Sequence, residues 1–202
     1  TGDFWSGDWW HETWTATRDP DAELPDAFGQ TSLNEDVDLS DLTFTGLDGE
    51  PVRLADALDA QGGKARIVEL FGTWCPNCAD AAKEIRRLKE LHGEALGVVA
   101  LAFELSDDHE RSVAQIARYK QRHKLADTTD WPILIAGVSD KAKATESVRL
   151  LDRVRSYPTT LFLYDRNEVV AIHTGFSGPA TGEAFTRQQQ QWDEIIERLL
   201  RE

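Results

Sequence analysis

From residue 65 onward, short apolar runs alternate with segments of helical periodicity, and this alternation constrains the fold more than any other feature. Residues 67–71 and 97–103 are nearly continuous apolar runs, as expected of strands buried inside a sheet. Between them, residues 76–92 carry apolar side chains along one side of a helix, and Gly93 provides a stop signal. This succession predicts an α/β fold.

The rest of the chain continues the alternation and ends in a hairpin and a helix. A second helix begins at a capping-box-like start formed by Asp107 and Glu110. A short polar turn separates two later apolar runs, which predicts an antiparallel hairpin. The further predicted elements are a strand at 132–136, a helical stretch at about 140–153, the hairpin strands at 160–164 and 169–173, and a last helix at 183–201. The first two of these indicate an insertion in the α/β order.

Length, charge and hydropathy exclude several classes of protein. The chain has 202 residues, which suits one domain with appendages or two small domains. Its 22 Lys and Arg against 36 Asp and Glu give a net charge of −14, which argues against a nucleic-acid partner. No apolar stretch is long enough to span a bilayer. The chain contains no methionine, so we expect a mature or trimmed product of a longer precursor.

Residues 1–32 are predicted to form a Trp-rich extension of a main domain at 33–202. This extension holds four of the seven tryptophans, namely Trp5, Trp9, Trp10 and Trp14. Sugar or peptide binding is one interpretation of such a cluster, but we expect an aromatic strand or hairpin that packs on the main domain. The main domain then begins with a second hairpin, because residues 42–45 and 52–54 alternate apolar and polar around an Asp-Gly turn.

The two cysteines of the chain, Cys75 and Cys78, form a C-x-x-C pair at the junction of the first apolar strand and its helix. Cys75 falls at the helix N-cap, where free backbone N–H groups and the helix dipole favour a thiolate. Pro76 suits the first helical position, because its missing N–H is not needed there. Cys78 lies about one turn further. One sulfur can therefore attack a disulfide while the other resolves the mixed disulfide.

Two other interpretations of the cysteine pair stay open at this point. Half of a zinc site shared between two chains is one, although a structural zinc site needs further ligands and the chain has no second cysteine pair. A purely structural disulfide is the other, although a loop this short constrains the chain very little. The pattern favours a redox-active dithiol over both.

Residues 71–78, with the sequence FGTWCPNC, resemble the active-site segment of the thioredoxin superfamily, and within it the TlpA/ResA-like thiol–disulfide oxidoreductases. The resemblance covers roughly residues 38–202 and includes the downstream segment Tyr157-Pro158-Thr159-Thr160. It implies a thioredoxin-like α/β fold with a central mixed β-sheet flanked by helices, an N-terminal hairpin extension and an inserted β-α element. Residues 173–183 resemble a subgroup in which this domain ends a longer exported bacterial protein. We therefore expect a periplasmic or otherwise exported protein.

The resemblance also implies roles for residues around the cysteine pair, whose first member is expected to attack and whose second is expected to resolve. Pro158 occupies the position of a cis-proline that faces the pair. Tyr157 before it is expected to offer its backbone to an extended substrate. Trp74 and Pro76 flank the attacking cysteine and are expected to contact the substrate.

Glu69 lies six residues before Cys75, in the middle of an apolar strand. Burial of a carboxylate is expensive and should raise its pKa, and the position matches the buried acid of thioredoxins. We therefore predict that Glu69 accepts the proton of Cys78, and a hydrogen-bonded Glu69 without a catalytic role is the alternative. ResA-like proteins often carry a glutamate where this chain has Ala81. Glu104, at the end of the second apolar run, is another candidate acceptor.

These observations predict a thiol–disulfide oxidoreductase that needs no cofactor and no metal. The simplest reaction is reduction of disulfides in partner proteins with electrons from an upstream thiol donor, and membrane contact is expected only through a missing upstream region. A copper-binding protein on the same fold is one alternative. Such proteins use C-x-x-x-C with a distal histidine, for which His173 is available. A thiol peroxidase is another, although neither cysteine fits the P-x-x-x-T-x-x-C pattern of peroxiredoxins.

Overall fold

A mixed sheet of seven strands forms the centre of the protein, and a separate two-stranded hairpin precedes it. The computed structural model of the chain describes residues 1–8, 10–22, 25–125 and 131–202, so the predicted cluster member Trp9 lies outside the described residues. The strands are β1 (Gly2–Ser6), β2 (Trp10–Trp14), β3 (Thr43–Thr45), β4 (Pro51–Arg53), β5 (Ala65–Phe71), β6 (Leu96–Glu104), β7 (Ile133–Val138), β8 (Thr159–Tyr164) and β9 (Val169–Thr174).

The helices are α1 (Leu54–Gln61), α2 (Pro76–His92), α3 (His109–Arg122), α4 (Lys141–Ser147) and α5 (Glu183–Arg201). Leu54, which the sequence pattern places in a strand, instead begins α1, because Leu54 and Leu58 bury one face of a helix. α4 ends before its predicted limit, because the chain after it turns to pair Leu151 with Leu33. In the described ranges, no helix is long and apolar enough to cross a membrane.

The strand order across the main sheet is β4-β3-β7-β6-β5-β8-β9. Strands β5, β6 and β7 run parallel, while β8 and β9 continue the sheet beyond β5 in antiparallel order. All residues of β5 and β6 are buried, as expected of central strands covered on both faces. The predicted α/β fold with a mixed sheet is confirmed, and β7 with α4 forms the inserted unit.

Helix α2 is held against α5 by polar contacts around one buried carboxylate, Glu84. Glu84 is buried and accepts two hydrogen bonds from Arg87, at 2.6 and 2.8 Å. Arg87 also donates to Asp193 of α5 at 2.6 Å, and Gln189 of α5 donates to Glu84 at 2.7 Å. A buried carboxylate needs such partners to offset its desolvation. These contacts fix the position of α2, which starts at the cysteine pair.

The N-terminal extension consists of an exposed hairpin and a later segment that contacts the sheet. β1 and β2 pair antiparallel, as predicted for an aromatic hairpin. The large apolar side chains of the hairpin, Phe4, Trp5, Trp10 and Trp14, are exposed. In the later segment, Ala27 O accepts from Thr174 N at 2.9 Å, and Thr31 Oγ1 lies 2.8 Å from Thr174 Oγ1. Packing of the whole extension on the main domain stays a prediction, as does the division after residue 32.

Candidate active site

Cys75 and Cys78 form a disulfide at the start of α2, just beyond the carboxyl end of the central strand β5. Their Cα atoms are 5.3 Å apart. Cys75 is the N-cap residue, and its Sγ accepts a hydrogen bond from Cys78 N at 3.2 Å, while Pro76 opens the helix. A backbone N–H and the helix dipole thus point at Cys75 Sγ. They favour negative charge on this sulfur once the disulfide is reduced.

The two cysteines of the disulfide differ in their exposure to solvent. Cys75 keeps 6% of its surface exposed, whereas Cys78 is fully buried. Trp74 and Pro76, on either side of Cys75, are both exposed. A partner that approaches this surface therefore meets Cys75 first.

The segment Tyr157-Pro158, joined by a cis peptide bond, faces the disulfide from the start of β8. Tyr157 O lies 3.5 Å from Cys75 Sγ. The Tyr157 ring packs edge-on against Trp74, with 5.7 Å between ring centres, and lies 5.5 Å from the Phe103 ring. Trp74 Nε1 donates to Phe103 O at 2.9 Å, which fixes the indole. These three rings form an aromatic wall beside the accessible sulfur.

Lys141 of α4 adds a cation to this aromatic wall, and no feature of the sequence indicated it. Its Nζ lies 4.2 Å from the centre of the Tyr157 ring and donates to Arg155 O at 2.9 Å. Burial lowers the pKa of Lys141, while contact with an aromatic face favours the charged form. The site thus has a positive group at its edge, although the chain as a whole carries a net charge of −14.

Glu69 lies on β5 between Ala100 of β6 and Thr160 of β8. It is 2% exposed, and burial raises its pKa to about 8. Within the described residues, its Oε1 atom has no hydrogen-bond partner, so no donor offsets the desolvation of that atom. A carboxyl with this pKa gains and loses a proton near neutral pH, as a general acid–base group must.

Tyr119 of α3 connects the surroundings of Glu69 to the cysteine pair. Its hydroxyl donates to Cys78 O at 3.2 Å. Burial, and then the charge of Glu69, raise the pKa of Tyr119, so the hydroxyl stays protonated and remains a donor. In the sequence, nothing distinguishes Tyr119 from the other residues on the apolar face of its helix. Only the docking of α3 on α2 could have indicated this contact.

Glu104, the other candidate acceptor, is placed differently. It ends β6 and accepts two hydrogen bonds from Thr73, from the backbone N at 3.0 Å and from Oγ1 at 2.7 Å. The two bonds engage both carboxylate oxygens, and the side chain is buried. Thr73 lies two residues before Cys75, so this double contact holds the loop that leads into the cysteine pair. We call this contact between Glu104 and Thr73 the loop anchor.

His173 is buried on β9, with its Nδ1 3.1 Å from Gly175 O. Burial lowers its pKa to about 4. Its ring packs edge-on against Phe28 and Trp192. In the part of the chain that the structure describes, no group of three or more His, Cys, Asp or Glu side chains could hold a metal ion. The copper-binding alternative therefore gains no donor set from this geometry.

Two known proteins with sequence similarity to this chain are named as thioredoxin-like or as a thiol-disulfide oxidoreductase. The chain is 29% identical over 148 residues to the thioredoxin-like protein YneN of Bacillus subtilis, covering 72% of this chain and 75% of YneN. It is 27% identical over 133 residues to the thiol-disulfide oxidoreductase ResA of Halalkalibacterium halodurans, covering 64% of this chain and 62% of ResA. The chain is a thioredoxin-like thiol–disulfide oxidoreductase.

The fold of the oxidoreductase also occurs among solved structures. A DsbF homologue from Corynebacterium diphtheriae matches with a TM-score of 0.53 over 91% of this chain and 98% of that chain, at 15% identity. This match confirms the thioredoxin-like fold. No family profile matches the oxidoreductase. The aligned part of the oxidoreductase spans less than two thirds of the length of ResA.

Proposed function

We propose that the oxidoreductase reduces disulfide bonds of partner proteins. The Cys75 thiolate attacks one sulfur of the partner disulfide, and the other partner sulfur leaves as a thiolate that takes up a proton. The Cys78 thiolate then attacks Cys75 Sγ and releases the second partner sulfur. The partner gains two electrons, and the oxidoreductase is left with the Cys75–Cys78 disulfide. An upstream dithiol donor returns the electrons through the same exchange in reverse.

The unequal placement of the two sulfurs carries this proposal. Cys75 is the N-cap of α2 and accepts from a backbone N–H, which favours a reactive thiolate at the accessible position. Cys78 is fully buried behind it, so its natural target is the neighbouring sulfur rather than a partner. A structural disulfide or a metal site does not require this difference between a slightly accessible and a fully buried cysteine.

Glu69 serves as the proton acceptor of Cys78 in this proposal. Burial disfavours the thiolate of Cys78, so a nearby base is needed before it can attack. The buried Glu69, whose pKa is raised to about 8, is available as that base near neutral pH. Glu104 is less suited, because both its oxygens already accept hydrogen bonds from Thr73.

The substrate segment is proposed to lie along the backbone of Tyr157, whose carbonyl oxygen is 3.5 Å from Cys75 Sγ. Pro158 follows without a backbone N–H. Trp74 and Pro76 present exposed side chains to the same segment. A cavity of about 160 Å³ beside Trp74, lined also by Glu104, Leu105 and Arg111, offers space for one substrate side chain.

The proposal extends to the compartment and the domain arrangement. Protein disulfides persist mainly in oxidising compartments, where a reductase of this kind finds its substrates. The resemblance of residues 173–183 to exported bacterial proteins supports the same location. The thioredoxin-like domain is proposed to span residues 33–202, with residues 1–32 as its extension. Fractionation of cells that express the native gene tests this location.

Serine substitutions test the roles of the two cysteines. Cys75→Ser should reduce the dithiothreitol-driven reduction of insulin to background, because the attacking sulfur is gone. Cys78→Ser should instead accumulate a mixed disulfide through Cys75, detectable by mass spectrometry, because nothing resolves it. Wild-type reduction by Cys75→Ser would overturn the proposal.

The Glu69→Gln variant tests the proton acceptor. When the reduced protein reacts with an aromatic disulfide reagent, the first release of chromophore reports attack by Cys75 and the second reports attack by Cys78. We expect the second release to slow by at least about tenfold at neutral pH and the first to stay unchanged. Glu104→Gln is the comparison variant: because Glu104 is engaged by Thr73, it should not slow the second release relative to the first. An unaltered pH profile in Glu69→Gln would remove Glu69 from the mechanism.

A further inference from the structure

A line of buried polar side chains extends from Glu69 across two further strands. Glu69 of β5 is paired directly with Thr160 of β8, and Thr160 is paired with His173 of β9. Directly opposed residues place their side chains on the same face of a sheet, with Cβ atoms roughly 4.5–5.5 Å apart. The three residues are 2%, 0% and 3% exposed, respectively. We call this set of Glu69, Thr160 and His173 the buried row.

The side chains of the buried row are not fully hydrogen-bonded. Among the described residues, neither Glu69 Oε1 nor Thr160 Oγ1 has a hydrogen-bond partner, and both atoms are shielded from solvent. Buried polar atoms nearly always have partners, and here two unpartnered polar atoms belong to directly opposed residues of neighbouring strands. The threonine hydroxyl is a rotatable donor that can reach a neighbouring carboxylate directly or through one water.

The other end of the buried row supplies no charge. The contact between Nδ1 and Gly175 O assigns the imidazole hydrogen to Nδ1, and burial keeps the His173 ring neutral by lowering its pKa to about 4. Asp26 of the N-terminal segment is the charged group that acts on His173. Phe28 and Trp192, which pack on the ring, carry no charge. His173 therefore does not provide a cation for Glu69.

The α3 side of the buried row is also without a cation among the described groups that act there. Tyr119 of α3 interacts with the charge of Glu69, and the other charges that act on Tyr119 are those of Asp80 and Glu104. All three are carboxylates, and none can donate a hydrogen bond in its charged form. Thr160 is thus the donor that the strand pairing places opposite Glu69.

We propose that Thr160 is a positioning residue for the Glu69 proton, with its hydroxyl donating to the Glu69 carboxylate in the charged state. The inference rests on the proposed role of Glu69 as the acceptor of the Cys78 proton. In that step the S–H bond of Cys78 breaks, the proton moves to the Glu69 carboxylate, and the electron pair stays on the sulfur. The Thr160 hydroxyl favours the charged acceptor, so it sets the pH above which Glu69 can take the proton.

The experiment measures the pH dependence of the second chromophore release in Thr160 variants. Thr160→Val keeps the shape of the side chain and removes the hydroxyl, so the midpoint of the profile should move up by about one pH unit. Thr160→Ser keeps a hydroxyl and should restore the wild-type midpoint. The first release, which reports Cys75, should not change in either variant.

Thr174→Val is the matched control, because Thr174 is a buried threonine of β9 whose hydroxyl contacts Thr31 instead of Glu69. Its midpoint should equal that of the wild type. Equal shifts in Thr174→Val and Thr160→Val would overturn the inference, because the effect would then be that of any lost buried hydroxyl. Thr160→Ala removes the hydroxyl without filling space. It must give the same shift if Thr160→Val fails to fold.

Glu69→Gln separates the inference from the proposed function. An altered pH profile of the second release in Glu69→Gln, together with a shifted midpoint in Thr160→Val, supports both. An altered profile in Glu69→Gln with a wild-type midpoint in Thr160→Val overturns the role of Thr160 alone and leaves the proposed function intact. A wild-type profile in Glu69→Gln overturns the role of Glu69 in the proposed function, and the role of Thr160 falls with it.

Discussion

Strands β5 and β6 each carry a buried carboxylate, Glu69 and Glu104, and the two differ in their hydrogen bonds. In the loop anchor, Glu104 accepts two hydrogen bonds from Thr73 and holds the backbone before Cys75. In the buried row, Glu69 is equally buried, yet its Oε1 has no hydrogen-bond partner among the described residues, and burial raises its pKa to about 8. Glu69 lies inside one apolar run and Glu104 directly follows the other, so their sequence contexts are alike.

Burial alone does not decide whether a carboxylate is a structural contact or a proton acceptor. A carboxylate with two donors is stabilised as an ion and becomes a fixed structural contact. A buried carboxyl group without such donors has a raised pKa, so it can bind and release a proton near neutral pH. Removing the carboxylate should therefore change the free energy of unfolding in opposite directions at the two positions.

The largest effect is expected for Glu69→Gln, which should stabilise the folded protein at neutral and alkaline pH. The folded pKa of Glu69, about 8, lies above the ordinary value of 4.5, so the fold favours the protonated form. Wild-type stability therefore falls as pH rises from 4.5 to about 8. Glutamine does not ionise, and the variant should be more stable by about 3 kcal/mol at about pH 7.

Urea unfolding of both proteins at about pH 4.5 and about pH 7 measures this difference. The two proteins should have similar stability at the lower pH and diverge at the higher one. A constant difference at both values would show that Glu69 does not carry the raised pKa, and the contrast with the loop anchor would fail.

Glu104→Ala should act in the opposite direction and destabilise the protein by roughly 2–3 kcal/mol, because both Thr73 donors lose their acceptor. Glu104→Gln keeps one acceptor oxygen and should lose less. Urea unfolding gives the free energy, and amide hydrogen exchange at Thr73 shows whether its N–H has been released. A more stable Glu104→Ala protein would remove the distinction between the two carboxylates.

The smallest effect concerns the far end of the buried row and appears only in acid. The folded pKa of His173, about 4, lies below the ordinary value of 6.5, so the fold favours the neutral ring and stability falls as pH drops between these values. His173→Gln should reduce the loss between about pH 7 and about pH 5 by about 2 kcal/mol. The variant also loses ring packing, but this loss is the same at both pH values. It therefore cancels when the stability of each protein at the lower pH is subtracted from its stability at the higher pH. Equal losses in both proteins would contradict the neutral His173.

Much of the fold and the cysteine pair followed from local sequence patterns. The apolar runs of β5 and β6, the helix that starts after Cys75, and the hairpin of β8 and β9 were predicted because neighbours along the chain specify them. The helix α1 was not predicted, because the apolar spacing after Pro51 fits a strand as well as a helix. Tyr119 and Lys141 were missed for another reason, since each contacts the site only after its helix packs there.

Local sequence patterns are enough to predict an α/β protein with a C-x-x-C pair at a strand–helix junction, and they identify two glutamates as candidate proton acceptors. Only the tertiary structure distinguished them. Glu104 meets Thr73 across 31 residues of sequence, and Glu69 meets Thr160 through strand pairing across the sheet. The number of donors that face a carboxylate depends on strand register and helix packing. Local sequence patterns do not encode that number, because the donors come from distant parts of the chain.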